Sequence, residues 1–479
     1  MKPVRVRIAP SPTGSLHLGT VRTALYNYLF AKKNKGKFIL RIEDTDQQRN
    51  KDEYTKEILE GFKWLKIKFD EGPYFQSERF ELYRKLAQKL LDEGKAYHCF
   101  STQEELDELR KIQRAAKVPE KYDNRHRNLT EEQKKQFIVE GRKSVLRFKL
   151  PDNFDVKWID EIRGHICVNT SDLGGDPVIM RSDGIPLYNF AVVIDDGDMK
   201  ISHIIRGDDH LHNTAKQIPI FQALGFDVPT FGHVPLIFTH EREKLSKRKH
   251  GDIANIDKYQ REGFLPEALE NYLVHMSWTR PDKPEAEVFK LDEIIDLFDL
   301  GRISKSSAVY DLPKLYWFDN HYIKELPIEE VYSLSKHFLE KDLNLSLYSK
   351  EQLLKMMSSV QAGLNKLDEI TGLIRFFFDD KFDLSSNENK SILNTENARK
   401  ILEKTLTALT SFDFQNPQEC KKAIDNLGKE LGLKGKDLYW PLRVAISGSN
   451  KGPDLGLVIS LLGEERLRAR LNKAIAVFV

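Results

Sequence analysis

The chain has 479 residues, more than one ordinary hydrophobic core accommodates, so several domains are expected. With 40% hydrophobic and 31% charged residues it reads as soluble; no N-terminal stretch resembles a signal peptide and no apolar run is long enough to span a bilayer, so a cytoplasmic protein without a membrane partner is expected. A net charge of only +2 excludes a uniformly basic nucleic-acid binder, so such a partner would have to be met by basic residues gathered on one face, for which Lys32-Lys33-Asn34-Lys35-Gly36-Lys37 and the surroundings of Lys244 are candidates.

Val4-Arg5-Val6-Arg7-Ile8 alternates apolar and basic residues and predicts a strand. Pro10, Pro12 and Gly14 end it in a rigid loop, and the spacing of Val21, Leu25 and Leu29 predicts a helix from Leu18 to about Lys32. Strand, glycine-containing loop and helix make the first βα unit of a nucleotide-binding sheet, whose helix start offers N–H groups and a partial positive charge to a phosphate. His17 precedes that start, where an imidazole can donate to a phosphate oxygen, and Gly19 leaves room for a flat adenine. Phe38 to Asp46 predicts a second strand ending in acids, followed by helices around 54–65 and 78–93. Residues 103–116 predict a helix and 145–168 short strands. Glu241 to His250 carries five basic and two acidic side chains and reads as a cationic phosphate loop. Beyond it, Leu353, Met357, Val360, Leu364, Leu367, Ile370 and Ile374 recur at helical steps and predict core packing. Cys99, Cys167 and Cys420 are too far apart to suggest a disulfide framework.

Ala9-Pro10-Ser11-Pro12-Thr13-Gly14-Ser15-Leu16-His17-Leu18-Gly19-Thr20 resembles the "HIGH" signature of class I aminoacyl-tRNA synthetases, in the variant of the bacterial-type glutamyl-tRNA synthetase branch. Its last position is Thr20, so any role of a second histidine falls to Thr20 or to nothing. Lys244-Leu245-Ser246-Lys247-Arg248, about 230 residues later, resembles the family's "KMSKS" loop. Arg41-Ile42-Glu43-Asp44-Thr45-Asp46 and the runs 182–191 and 203–210 also match the family. The resemblance implies activation of L-glutamate with ATP, Mg²⁺ arriving on ATP, and transfer to the terminal adenosine of tRNA(Glu). It implies catalytic roles for His17, Thr20, Lys244 and Lys247, with His17, Gly19 and Lys247 at ATP. Glutamate is expected on Arg7, Ser11, Glu43, Tyr188 and Arg206, since two carboxylates call for cationic and hydroxyl donors and one ammonium calls for a carboxylate. Gly363 matches the position where members restricted to tRNA(Glu) carry an arginine that reads the last anticodon base, so charging of tRNA(Gln) as well is expected.

The implied fold class is α/β. A Rossmann-type doubly wound catalytic domain (1–95 and 188–240) carries an α+β acceptor-stem insertion (96–187). A helical stem-contact region with the cationic loop (241–325) and an all-α anticodon-binding region (326–479, divided near 375) follow. Some relatives hold zinc in the insertion; here only Cys99 and His126 remain as good ligands where four are needed, so no zinc is expected. A monomer is expected. A glutaminyl-tRNA synthetase shares the catalytic signatures but builds its anticodon region from β-barrels, whereas the last third here is patterned for helices. A short paralogue that glutamylates a tRNA base lacks the roughly 150 C-terminal residues available here, and an inactive tRNA-binding paralogue is disfavoured by intact His17, Glu43, Arg206 and Lys247.

The expected role of Lys247 gives a direct test. Lys247→Ala should slow adenylate formation by on the order of 10²–10³ while weakening glutamate binding far less, as read by pre-steady-state kinetics; equal effects on both would remove the role.

Overall fold

The computed structural model describes every residue except 1, 2, 47, 48, 380, 381, 383 and 479, and leaves aside the side chains of Lys247, Arg248 and Phe478. The chain forms two compact units, one of residues 1–260 with 266–312 and one of residues 261–265 with 313–479.

The first unit is built on parallel strands. β1 (Arg5–Ile8), α1 (Leu18–Lys33), β2 (Lys37–Ile42), α2 (Asp52–Trp64), β3 (Glu71–Phe75) and α3 (Phe80–Asp92) follow in order. β1, β2 and β3 pair parallel in that order. The strand expected to reach Asp46 stops at Ile42, leaving Glu43–Asp46 beyond the sheet, with Glu43 N–H held by Pro10 O at 2.9 Å. Gly36 makes the tight return into β2: a Cβ there would lie 2.4 Å from Val4 O.

β4 (Ala96–Cys99), α4 (Gln103–Ala115), α5 (Glu131–Val139), β5 (Val145–Phe148), β6 (Asp155–Asp160), β7 (Gly164–Asn169) and β8 (Val178–Met180) come next. β4, β5 and β8 make a small antiparallel sheet. The hairpin β6–β7 does not join it. β6 instead lies beside β10 (Thr230–Val234), which pairs parallel with β9 (His203–Gly207). Between them run α6 (Tyr188–Asp198) and α7 (Leu211–Leu224). The two parallel sheets meet at Ser202, whose N–H and hydroxyl bond Arg5 O and whose oxygen accepts Arg5 N–H at 2.8 Å.

α1 is buried almost all round, so it lacks the polar face of a surface helix. Its buried polar side chains donate within the helix and across it: Thr23 donates to Gly19 O at 2.9 Å, and Asn27 donates to Thr23 O and to Ile205 O on β9. β11 (Ile237–Phe238) pairs parallel with β12 (Ala308–Val309); between them lie α8 (Lys247–His250), α9 (Ile256–Arg261), α10 (Pro266–His275) and α11 (Leu291–Ile294). The cationic segment read as a loop is therefore partly a helical turn, from Lys247 onward.

The second unit is helical throughout its described residues: α12 (Leu312–Glu325), α13 (Ile328–Asp342), α14 (Lys350–Gln361), α15 (Glu369–Phe378), α16 (Asn387–Leu393), α17 (Glu396–Ala408), α18 (Pro417–Leu431), α19 (Lys436–Ser447) and α20 (Leu455–Ile475). The stripe from Leu353 to Ile374 is its core, as its period requires.

Under the first sheet, Asp195 on α6 accepts from Gln76, Arg79 and Tyr83 at 2.7–2.9 Å and faces Arg41 at 3.6 Å. Asp195→Ala leaves Arg41 on Asp196 and Glu43, and Arg79 on Asp198, but strips the buried Gln76 amide and Tyr83 hydroxyl of their acceptor. It should cost about 1–3 kcal/mol, seen as a lowered urea midpoint of the tertiary fluorescence transition; an unchanged midpoint would show the cluster to be inert.

Candidate active site

A cleft of about 710 Å³ opens above the carboxyl ends of β1, β2 and β9, the edge where open α/β sheets bind ligands. Arg7, Ser11, His17, Gly19, Thr20, Glu43, Tyr188, Arg206 and Lys244 all line it. Gly363 lies in the helical unit and lines a separate cavity there. The Lys247 side chain falls outside the described residues.

His17 is the residue before α1. Its Nδ1 accepts the Gly19 N–H at 3.0 Å, capping the helix. In the neutral ring the proton then sits on Nε2, which supplies a donor at a helix start that already favours anions. A Cβ on Gly19 would meet only His17 within 4 Å, so the floor beside it is open. On the other flank, Lys244 reaches Asp209 Oδ2 at 2.9 Å. Burial opposes ionisation of Asp209, but Lys244, with smaller help from its other neighbours, holds the carboxyl below the usual range.

Arg7 is not a surface strand residue. It is 3% exposed and donates to both carboxylate oxygens of Asp196 at 3.1 and 3.3 Å. Arg41, wholly buried, donates to Asp196 at 2.7 Å and to Glu43 at 3.3 Å. Burial would raise Asp196, yet the two arginines keep it below the ordinary carboxylate range. Glu43 goes the other way: burial pushes its carboxyl up, and Arg41 and Arg7 offset this only in part.

Arg206 does not pair with Asp208 or Asp209, the alternative its sequence neighbours suggest. Asp208 is taken by Arg163 and Asp209 by Lys244. Arg206 instead bonds neutral groups: Thr214 at 2.7 Å, Gln217 at 2.8 Å, His233 at 3.3 Å and the Tyr188 hydroxyl at 3.4 Å. Burial lowers its pKa below the ordinary arginine value; a guanidinium is not deprotonated in proteins, so a cation faces the cleft. Tyr188, at the start of α6, also touches His210 Nδ1 at 3.2 Å. Burial, then Arg206, bring His210 down to about 4, so this ring is neutral near pH 7. Asn189, given no contact from sequence, accepts from Gln217 at 2.9 Å and so stands behind Arg206.

Besides the partners of Arg206, three charged residues at or next to the cleft escaped the sequence reading. Asp196 and Arg41 belong to the charge cluster; the signals were two acids inside the apolar run of α6 and the arginine opening Arg-Ile-Glu-Asp. Arg22 lines the cleft from α1, donating to Ser277 at 3.0 Å and to Pro235 O; an arginine amid ten buried positions was its mark.

Around the residues considered for zinc, Cys99 Sγ lies 3.2 Å from the Tyr122 hydroxyl and His126 Nδ1 accepts Phe100 N–H at 3.1 Å. Among the described residues no group of three or more His, Cys, Asp or Glu is placed to hold a metal ion. Nor, among them, is any helix long and apolar enough to cross a membrane.

Residues 3–317 match the family described as tRNA synthetases class I (E and Q), catalytic domain, and residues 330–475 match an anticodon binding domain. Curated relatives include the glutamate–tRNA ligases of Natranaerobius thermophilus, 42% identical over 98% of each chain, and of Synechocystis sp., 44% identical over 99% of each. The chain belongs to the glutamate–tRNA ligase family. A crystal structure titled as a glutamate tRNA ligase from Elizabethkingia meningosepticum in complex with its amino acid covers all of both chains at 35% identity and a TM-score of 0.88. Family membership fixes the fold class as α/β with a helical anticodon domain, in agreement with the parallel sheets and the all-helical second unit.

The position of Glu43 predicts a pH dependence. If its carboxylate takes an ammonium, glutamate kcat/KM falls as pH drops through the Glu43 pKa, which burial places above the ordinary carboxylate range. Glu43→Gln should remove that acidic limb and raise the glutamate KM; a limb unchanged in the variant would assign it elsewhere.

Proposed function

We propose that the cleft binds L-glutamate and ATP side by side and makes glutamyl-adenylate, which is then passed to tRNA. The observation that carries this is the meeting of two polar sets in one cavity: the donors Arg7, Tyr188 and Arg206 with the acceptor Glu43, and His17, Gly19 and Lys244. A ligand with two carboxylates and an ammonium matches the first set, since Arg206 brings a buried positive charge whose bonds within the protein go to neutral groups. Glu43 would take the ammonium, with Ser11 at the rim.

In the reaction, a glutamate α-carboxylate oxygen attacks the α-phosphorus of ATP. The bond to the bridging oxygen breaks, and pyrophosphate leaves with its electron pair. Negative charge grows on the phosphoryl oxygens, where the His17 Nε2 proton, the α1 start and the Lys244 ammonium stabilise it. Lys247 and Thr20 are proposed as further donors, and Mg²⁺ arrives on ATP as part of the substrate. The 2′-hydroxyl of the terminal adenosine of tRNA then attacks the acyl carbon and AMP departs. The helical second unit would bind the anticodon, with tRNA(Glu) as acceptor. We further propose a monomer working in the cytoplasm, divided into the catalytic, insertion, stem-contact and anticodon-binding regions set out above. The test is ATP–pyrophosphate exchange in the presence of tRNA. Glutamate should support it, while glutamine and aspartate should not; exchange driven by glutamine would overturn the substrate assignment.

Gly363 supports charging of tRNA(Gln) as well. It lines a cavity of about 610 Å³ beside Arg375 and Lys451, and presents no side chain to a base there. A Cβ at this position would meet only Val360 O, at 3.5 Å, so a side chain can leave the backbone here without a clash at its first atom. Gly363→Arg should lower glutamylation of purified tRNA(Gln) by about tenfold, the scale of one desolvated and unpaired polar group against the wrong base, while sparing tRNA(Glu). Absence of tRNA(Gln) charging by the unaltered protein would end this reading.

A further inference from the structure

Behind Arg206 stands a pair of side chains that no ligand in the cleft could touch. His233 on β10 and Asp160 at the end of β6 both have fully buried side chains. His233 Nδ1 lies 2.5 Å from Asp160 Oδ2. His233 Nε2 faces Arg206 Nε at 3.3 Å and Thr214 Oγ1 at 3.1 Å. The ring stacks on Phe231, 10° from parallel, and the Arg206 guanidinium lies over that same Phe231 ring.

The protonation pattern follows from the neighbours. Burial opposes ionisation of Asp160, yet its bond to His233 holds the carboxyl below the usual range, so it accepts and cannot donate. The Nδ1 proton is therefore on His233. Burial, with Arg206 beside it, lowers the His233 pKa against the opposite pull of Asp160, and the Arg206 Nε–H aimed at Nε2 leaves that nitrogen the acceptor. A bare Nε2 is what the Arg206 Nε–H requires. The opposite tautomer would set N–H against N–H.

We propose that Asp160 and His233 are positioning residues for glutamate recognition: Asp160 locks the His233 tautomer so that Nε2 accepts from Arg206 and aims its guanidinium into the cleft. This rests on the reading of Arg206 as a glutamate contact. It gives the hairpin β6–β7, far along the chain from the signature motifs, a task in the amino-acid site.

The Asp160 surroundings supply a near-isosteric test. Asp160 Oδ1 accepts three backbone N–H groups, from Ile162, Arg163 and His233, at 2.9–3.1 Å. In Asp160→Asn the amide oxygen must keep that place, which turns the NH₂ toward Nδ1. The ring then moves its proton to Nε2, against Arg206. Asp160→Asn should raise the glutamate KM about tenfold or more with the ATP KM unchanged. In His233→Gln the amide oxygen can replace Nε2 as acceptor and there is no tautomer to flip. Adding Asp160→Asn to His233→Gln should therefore have little further effect, a strongly non-additive cycle. An undiminished effect in the Gln background, or an equal rise in the ATP KM, would overturn the proposal. Arg206→Gln serves as the control. If it leaves the glutamate KM unchanged, the placement of glutamate on Arg206 fails. If it raises KM while Asp160→Asn does not, the positioning role alone fails. Should Asp160→Asn not fold, the unaltered full-length protein labelled with ¹⁵N-histidine decides, with the His233 signals assigned by their loss in His233→Gln. A neutral ring protonated at Nδ1 supports the proposal, and an Nε2–H tautomer or an imidazolium overturns it.

Discussion

The first unit depends on a charge cluster shut inside it. Arg7 comes from β1, Arg41 from β2, Asp195 and Asp196 from α6, and Arg79 from the turn before α3. Each ion alone would cost several kcal/mol to remove from water, and only close pairing with several hydrogen bonds offsets that cost. The cluster therefore tolerates one arrangement of those elements. A shift of α6 against the sheet by a fraction of a hydrogen bond would leave a cation or an acid stranded. The geometry of the cleft floor follows from this, because Arg7 sits on β1, Tyr188 on α6 and Glu43 directly after β2.

The two cleft arginines are used differently as a result. Arg7 is already neutralised by Asp196, so it contributes direction and hydrogen bonds more than net field. Arg206 is surrounded by neutral oxygen and nitrogen acceptors, and its positive charge is left for a ligand. Neutral His210 beside Tyr188 adds polarity without competing charge. A ligand carboxylate at Arg206 would complete an ion pair that the protein leaves half made. A neutral amide could not, which is a physical basis for discriminating acid from amide at one atom.

Much of the first βα unit was legible because periodicity and loop chemistry act locally: β1, α1 and the His17–Gly19 turn are where Pro10, Pro12 and Gly14 put them. Tyr188 and Arg206 were reachable only through resemblance, since neither spacing nor composition links residue 188 to residue 7. The partners of Arg206 were not legible. A sequence-adjacent acid is the natural guess for a buried arginine, yet strand β9 turns Asp208 and Asp209 toward Arg163 and Lys244. The end of the second strand was misread for a similar reason. Glu43 to Asp46 continue the polar pattern, but Glu43 N–H bonds the Pro10 carbonyl and Asp44 caps Ser77, so the backbone leaves the sheet after Ile42. Asp160 and His233 meet through a parallel pairing between β6 and β10, a contact across some seventy residues that no local pattern encodes.

The helical half of the cationic segment lies between two backbone fastenings. Leu245 N–H bonds Ile237 O at 2.9 Å just before it, and Ile256 N–H bonds Leu16 O at 3.0 Å after it, next to His17. The second fastening joins the segment directly to the turn that carries the imidazole. Lys244 stands just before that stretch and is held separately by Asp209. The helical turn and the histidine turn thus share one backbone frame, so a change that loosens the chain at Leu16 would loosen the turn from Lys247 to His250 with it.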